Sequence, residues 1–93
     1  MSVEIRTTRL AYEAYIDGTR VGELAYSRSG TTVTALHTEV EPAAEGKGVG
    51  SALARALIDD IRARGDKLVP LCLFVKSYLD RHPEFDDLRV ATR

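Results

Sequence analysis

Three glycines, Gly46, Gly48 and Gly50, alternate with other residues just before an amphipathic run from Ala52 to Arg64. Alternate glycines let a backbone turn tightly and leave its N–H groups exposed. If a helix begins at the end of this turn, its first N–H groups have no partners within the helix. With the positive end of the helix dipole, these donors favour an anion such as a pyrophosphate. A flexible linker before an ordinary helix is the alternative, and a glycine cluster alone does not decide between them.

Composition and charge exclude several classes of protein. The chain has 93 residues, of which 44% are hydrophobic and 29% charged, and these values are typical of one folded domain. A net charge of −1 argues against nucleic-acid binding. No apolar run approaches the roughly 20 residues of a membrane span. The single cysteine, Cys72, cannot form an internal disulfide. We therefore expect one domain over residues 1–93, cytoplasmic, off the membrane, and either a monomer or a homodimer.

The first 40 residues predict consecutive antiparallel strands. Asp17-Gly18, between two β-prone runs, is a strong signal for a hairpin turn, because both turn positions require positive φ. Gly22 interrupts the returning strand, which suggests a bulge or weak pairing. Ser29-Gly30 predicts the next turn. The predicted strands cover Val3–Arg9, Ala11–Ile16, Arg20–Ser27 and Thr31–Val40.

The rest of the chain predicts a helix, a strand and a second helix. Pro42 should end the fourth strand, and a loop over 42–47 leads into the first helix, where apolar residues recur every fourth position up to a stop at Gly65. The apolar run Leu68–Leu71 predicts a buried strand, and Phe74–Arg81 has helical spacing. The last segment, Glu84–Arg93, is short and polar. The order β-β-β-β-α-β-α indicates an α+β fold in which a right-handed crossover joins two parallel strands.

The glycine stretch fits neither common nucleotide motif. The P-loop pattern is absent, and G-x-G-x-G lacks the spacing of the dinucleotide fingerprint. A strand, a glycine loop and a helix in succession resemble the GNAT superfamily of acetyl-coenzyme A-dependent N-acetyltransferases. Their hallmark, [RQ]-x-x-G-x-[GA], holds the coenzyme pyrophosphate on backbone amides, and Glu45 to Gly50 match it here. Glu45 departs from the Arg or Gln of the first position, and its carboxylate does not help to bind an anion.

A closer resemblance, over nearly the whole chain, is to the minimal YjdJ-type GNAT-like proteins. It implies a truncated GNAT fold that lacks the first helices and last strands of a full domain. Leu73 departs from the proline usual after the cysteine. The resemblance rests on four blocks in order, namely His37-Thr38-Glu39-Val40, Gly46 to Ser51, Val69-Pro70-Leu71-Cys72 with Phe74-Val75, and Tyr78 with His82 to Phe85.

The resemblance implies acetyl-coenzyme A as cosubstrate and places its site on named residues. The backbone near Val40 would pair with the pantetheine arm, and we predict no metal ion. Lys47 could reach a phosphate as a point charge, although a loop lysine is usually solvated. The predicted pyrophosphate-binding residues are Gly46, Lys47, Gly48, Val49, Gly50 and Ser51.

Four side chains are candidates for the chemistry. Cys72 lies where the buried strand gives way to a helix; such a thiol can be a nucleophile, but a free cysteine more often fills core space. The resemblance makes it the catalytic group at the acetyl end of the coenzyme. His37 is a candidate base, since histidine gains and loses a proton near neutral pH, or a strand residue satisfied by the backbone. Glu39 shares a strand face with it and is the alternative base. Tyr78 resembles the tyrosine that protonates the leaving thiolate in many GNAT enzymes, and its position slightly favours the core.

The expected function is therefore transfer of an acetyl group from acetyl-coenzyme A to an unidentified amine. An acyl-cysteine on Cys72 and direct transfer in a ternary complex are both open routes. A non-catalytic module that binds coenzyme A or a partner protein is the alternative.

Overall fold

The computed structural model describes residues 2–90. These residues form one five-stranded sheet with two helices and two short 3-10 helices, Pro42–Ala44 and Pro83–Leu88. The main elements are β1 (Glu4–Thr7), β2 (Ala11–Ile16), β3 (Thr19–Ser29), β4 (Thr32–Val40), α1 (Val49–Arg64), β5 (Lys67–Pro70) and α2 (Leu73–Asp80). The strands lie in the sheet in the order β1-β2-β3-β4-β5.

Neighbouring strands from β1 to β4 are antiparallel, and β5 lies parallel to β4 after the crossover through α1. The predicted α+β architecture and the order β-β-β-β-α-β-α are confirmed. Asp17 and Gly18 both have positive φ, 51° and 81°, as the predicted hairpin turn requires. The predicted irregularity near Gly22 is also present, because Val21 is an extra residue of β3 between two paired positions.

One continuous core lies between the sheet and the two helices. Helix α1 contributes Leu53, Leu57 and Ile61, each at most 1% exposed, from its predicted apolar stripe. The Tyr12 hydroxyl of β2 also reaches α1 and donates a 2.7 Å hydrogen bond to Asp60. Burial, reinforced by this hydrogen bond, raises the pKa of Tyr12 well above its ordinary value of about 10.

The opposite face of the sheet is polar. Arg6, Glu13, Glu23 and Glu39 stand directly opposite one another across β1 to β4, so their side chains form one row on this face. Arg20 forms salt bridges with Glu13 and Glu23 in the row. The two faces therefore differ, one being apolar and covered by helices and the other charged.

The sheet opens between β4 and β5. The two strands pair only from Thr32↔Lys67 to Ala35↔Pro70, and the last contact is a hydrogen bond from the Cys72 N–H to the Ala35 carbonyl. Pro70 has no N–H to continue the ladder. Residues 37–40 of β4 therefore pair with β3 alone, and half of their backbone groups face the opening.

The structure corrects several predicted boundaries. Helix α1 begins at Val49, directly after the predicted loop, because the turn is complete at Gly48, which has φ 79°. Strand β5 begins and ends one residue earlier than predicted, and α2 begins at Leu73. Of the predicted tail, residues 91–93 lie outside the described range. Within residues 2–90, no helix has the length and apolar character needed to cross a bilayer.

Candidate active site

The glycine segment forms one wall of an open groove of about 390 Å³, here called the loop groove. Its lining consists of Thr38 and Val40 of β4, Phe74 of α2, and every residue of the segment 44–51 except Lys47. The groove therefore lies between the open edge of β4 and the N-terminus of α1. It brings together Val40, Gly46, Gly48, Val49, Gly50 and Ser51 from the predicted set.

Backbone donors are free along this wall. The N–H groups of Gly46, Gly48, Val49, Gly50 and Ser51 donate no hydrogen bond within residues 2–90. The first intrahelical bond runs from the Ala52 N–H to the Gly48 carbonyl, at 3.0 Å. The residue before α1 is glycine, so no side chain caps these donors, and the first turn has no acidic residue. Unpaired donors at the positive end of a 16-residue helix form an arrangement that binds anions.

Two charged residues of the segment are placed differently. Lys47 lines a separate cavity with Asp17 and Arg20, and its backbone N–H donates to the Ala44 carbonyl at 3.3 Å. Glu45 lines the loop groove and is solvent-exposed. The donors that line the loop groove are therefore backbone N–H groups, and Lys47 is not among the residues of its lining.

A second cavity, of about 340 Å³ and here called the cysteine cavity, adjoins the loop groove. It is lined by Leu36, His37, Thr38, Leu71, Cys72, Leu73 and Phe74. Thr38 and Phe74 line both spaces. The two spaces are therefore adjacent, with the glycine segment in the wall of one and Cys72 in the wall of the other.

Cys72 lines the cysteine cavity and contacts Thr38, which borders both spaces. Its backbone N–H donates to the Ala35 carbonyl at 3.0 Å, and its Sγ lies 3.2 Å from the Thr38 hydroxyl oxygen. The residue is 5% exposed. A hydroxyl in this position can donate a hydrogen bond to a thiolate or accept one from a thiol. Thr38 therefore fixes the position of the sulfur next to the opening in the sheet.

His37 and Glu39 lie on the same face of β4, as predicted, and this is the polar face of the sheet. The His37 Nε2 is 3.6 Å from the Glu23 Oε2. One imidazole nitrogen of His37 and one carboxylate oxygen from each of Glu23 and Glu39 all lie within 4.8 Å of one another. This set could receive a proton, and one nitrogen with two carboxylate oxygens could also ligate a divalent cation. Only His37 of the three lines the cysteine cavity. It therefore connects Cys72 with the polar face.

Tyr78 belongs to the core in this structure. It is 6% exposed, its ring stacks on that of His82 at 4.3 Å between centroids, and it lines neither the loop groove nor the cysteine cavity. Its hydroxyl is not among the groups that meet at the opening between β4 and β5.

Three residues were not assigned a site role from the sequence, namely Thr38, Phe74 and Glu23. The face of Thr38 depends on a second bulge, in which Leu36 is an extra residue of β4 between the pairs Tyr26↔Ala35 and Ala25↔His37. Glu23 joins the site through the register of β3 with β4, which no local pattern encodes. Phe74 has the spacing of a core residue, and a signal for its second role is its closeness to Cys72 in the sequence.

Solved structures share this fold. A GCN5-like protein from Staphylococcus aureus, determined by NMR, superposes with a TM-score of 0.75 at 22% identity, covering 97% of this chain and 90% of that one. The ribosomal-protein-S18-alanine N-acetyltransferase from Escherichia coli gives 0.63 at 24% identity, over 70% of this chain and 43% of the enzyme. Ribosomal-protein-alanine N-acetyltransferase from Brucella melitensis gives 0.63 at 24% identity, over 89% and 62%. At these identities the likeness is one of fold.

The family is established by sequence. A model described as GCN5-related N-acetyl-transferase matches residues 11–88, and the chain belongs to this family. The superfamily predicted from the glycine segment is thereby confirmed, whereas the YjdJ-type branch stays a prediction. No curated protein matches the sequence.

Proposed function

We propose that the protein is an acetyl-coenzyme A-dependent N-acetyltransferase. It moves an acetyl group to a primary amine, and the transfer takes place next to Cys72. The observation that carries this proposal is the adjacency of two spaces, since the loop groove with its five free N–H groups and the cysteine cavity share Thr38 and Phe74 as lining residues. Membership of the GCN5-related family supports the same cosubstrate.

The described residues fit coenzyme A. The free N–H groups from Gly46 to Ser51 would hold its pyrophosphate, and the unpaired backbone of residues 37–40 of β4 would hydrogen-bond the pantetheine amides. The thioester would then lie near the Thr38–Cys72 contact. When bound, acetyl-coenzyme A supplies an activated acetyl group. The protein would orient the thioester and the amine and would accept the proton that the amine loses.

Two routes to the amine are consistent with this arrangement. In the direct route, the neutral amine nitrogen attacks the thioester carbonyl, the carbon–sulfur bond to the coenzyme breaks, and His37 accepts the proton lost by the amine while the coenzyme thiolate takes up a proton from solvent. In the covalent route, the Cys72 sulfur would first form a bond to the acetyl carbon while the carbon–sulfur bond to the coenzyme breaks, and the leaving coenzyme thiolate would take the proton that Cys72 loses. The amine would then attack the acyl-cysteine, the carbon–sulfur bond to Cys72 would break, and the Cys72 thiolate would take up the proton lost by the amine. Glu39 lies beyond His37 on the polar face and would assist through it.

Intact-mass measurement after incubation with acetyl-coenzyme A distinguishes these routes. The covalent route predicts a gain of one acetyl group that hydroxylamine removes and that Cys72→Ala abolishes; the chain has no other cysteine. The direct route predicts no gain but coenzyme A release that depends on added amine. Calorimetry with coenzyme A tests the shared first step, and no heat with either coenzyme A or acetyl-coenzyme A would reject the proposal.

A coenzyme A-binding module without turnover is the second candidate. The observation that favours it is the burial of Tyr78, which leaves no tyrosine hydroxyl in the cysteine cavity to protonate the leaving thiolate. Binding of coenzyme A with neither a mass gain nor transfer to any amine would support this candidate.

A further inference from the structure

The exposed apolar side chains of this protein are concentrated at one place. Among residues 2–90, the exposed large hydrophobic residues are Leu10, Leu36, Leu71 and Leu73. The last three, here called the leucine rim, all line the cysteine cavity and are 43%, 64% and 81% exposed. Single exposed leucines are ordinary, but several around one cavity indicate a surface that binds an apolar group.

The fold gives each leucine of the rim its place. Leu36 is the extra residue of the bulge in β4, and Leu73 is the first residue of α2. Leu71 lies in the tight connection after β5, where its N–H donates to the Val69 carbonyl. The three side chains therefore come from three elements that meet at the opening in the sheet, and no described residue of the core covers them.

The polar end of the cavity has the opposite character. His37 lines it, and Glu23 and Glu39 lie beside His37 on the polar face. Arg20 pairs with Glu23, whereas Glu39 forms no salt bridge within residues 2–90. Carboxylates at this end attract a cation, so an amine arriving as an ammonium ion is favoured there.

We propose, on the basis of the acetyltransferase function above, that the acceptor is a small primary amine carried on an apolar body, such as an arylalkylamine or alkylamine. The apolar body packs on the leucine rim, and the amine lies between Cys72 and His37. The cavity of about 340 Å³ is near the lower limit for small-molecule sites, so it suits a single ring or a short chain. A polyamine would place further charges against leucine, since no carboxylate is among the described residues that line the cavity.

The test compares acceptors and rim variants with the wild-type protein. Coenzyme A release is measured with 2-phenylethylamine, spermidine and a short peptide with a free N-terminus. Leu73→Ser removes apolar surface from the rim, and Leu10→Ser is the matched control, because Leu10 is 72% exposed and does not line the cavity. Leucine methyl shifts in the presence of coenzyme A report amine binding independently of turnover, and 2-phenylethanol tests the need for the charge.

The proposal predicts that 2-phenylethylamine has the highest kcat/KM of the three acceptors. Leu73→Ser should raise the KM for 2-phenylethylamine about tenfold, because the apolar contact between the bound amine and Leu73 is lost. Leu10→Ser should not change this KM. The methyl groups of the leucine rim should shift with 2-phenylethylamine and much less with 2-phenylethanol.

Three results would overturn the inference. Preference for spermidine or the peptide, or equal effects of Leu73→Ser and Leu10→Ser, would reject the acceptor class and leave acetyl transfer standing. A concentration-dependent dimer that Leu73→Ser dissociates would assign the leucine rim to a subunit contact. Coenzyme A binding without transfer to any amine would reject the enzymatic function itself, and this inference with it.

Discussion

The close approach of α1 to α2 depends on Gly50, and Gly50→Ala tests that dependence. A Cβ atom at this position would lie 2.8 Å from the Cζ of Phe74 and 3.2 Å from its Cε1 and Cε2. Non-bonded carbon atoms are ordinarily about 3.5–4.0 Å apart. The ring of Phe74, or α2 itself, would therefore have to move by roughly 0.7 Å or more. Phe74 separates the loop groove from the cysteine cavity, so this shift would also deform both spaces.

The magnitude follows from two opposed contributions. Overpacking costs about 1–3 kcal/mol, whereas alanine in place of glycine in a helix stabilises by about 0.5–1 kcal/mol. The difference is about 0–2.5 kcal/mol, so Gly50→Ala should lower the free energy of unfolding by a central value of about 1 kcal/mol. For a domain of this size, Tm should then fall by roughly 4–8 °C.

Thermal and urea denaturation of a double-mutant cycle measure this effect. Phe74→Leu removes the atoms that the new methyl group would meet, so Gly50→Ala should cost less by about 1 kcal/mol in that background. Ser51→Ala is the matched control, because Ser51 is the next residue of the same turn and is exposed; it should change stability by less than about 0.5 kcal/mol. A Gly50→Ala protein as stable as wild type, or an equal cost in both backgrounds, would refute the reasoning.

Three further predictions concern the loop, the core and the cysteine. Gly48→Ala and Gly30→Ala should each lower the free energy of unfolding by about 1–2 kcal/mol, since both glycines have positive φ and open space around them. Only Gly48→Ala should weaken coenzyme A binding in calorimetry. Equal affinities of the two variants for coenzyme A would contradict the role of the loop. The free energy of unfolding in urea should fall as pH rises above about 10, because the unfolded chain then loses the tyrosine proton that folded Tyr12 retains. Tyr12→Phe should reduce this dependence, and an unchanged pH profile would argue against it. Thr38→Val should slow alkylation of Cys72 by iodoacetamide about threefold to tenfold in the folded protein, because the Cys72 thiolate loses the hydroxyl that can donate a hydrogen bond to it. If the variant were slower by the same factor in urea, the contact would not be the cause.

Local patterns were sufficient to predict most of the fold. The Asp17-Gly18 turn, the apolar stripe of α1 and the stop at Gly65 each depend on residues close in sequence, and the structure has all three. The start of α1 just after the loop over 42–47 is also local, because Val49 begins the apolar stripe. The reason for glycine at position 50 is not local, since it depends on the ring of Phe74, which is distant in sequence.

The candidate site was less predictable because it depends on register and on a bulge. The extra residue Leu36 turns Thr38 toward Cys72 and leaves His37 on the polar face, and alternation along β4 alone cannot show this. The glycine segment was identified from local spacing, whereas the different position of Lys47 depends on how the loop folds back toward Arg20. The glycine segment could therefore be predicted from the sequence, whereas the faces of Thr38 and His37 and the position of Lys47 could not.

The central claim is that the free N–H groups at the start of α1 bind the pyrophosphate of coenzyme A. The direct measurement is a titration of the ¹⁵N-labelled protein with coenzyme A, followed by amide chemical shifts. The amides of Gly48, Gly50 and Ser51 should move downfield and saturate as hydrogen bonds form, while that of Gly30, in a turn outside the loop groove, stays in place. Pantetheine, which lacks the pyrophosphate, should leave the same amides unmoved. Saturable binding with no shift at these amides, or no binding at all, would contradict the account.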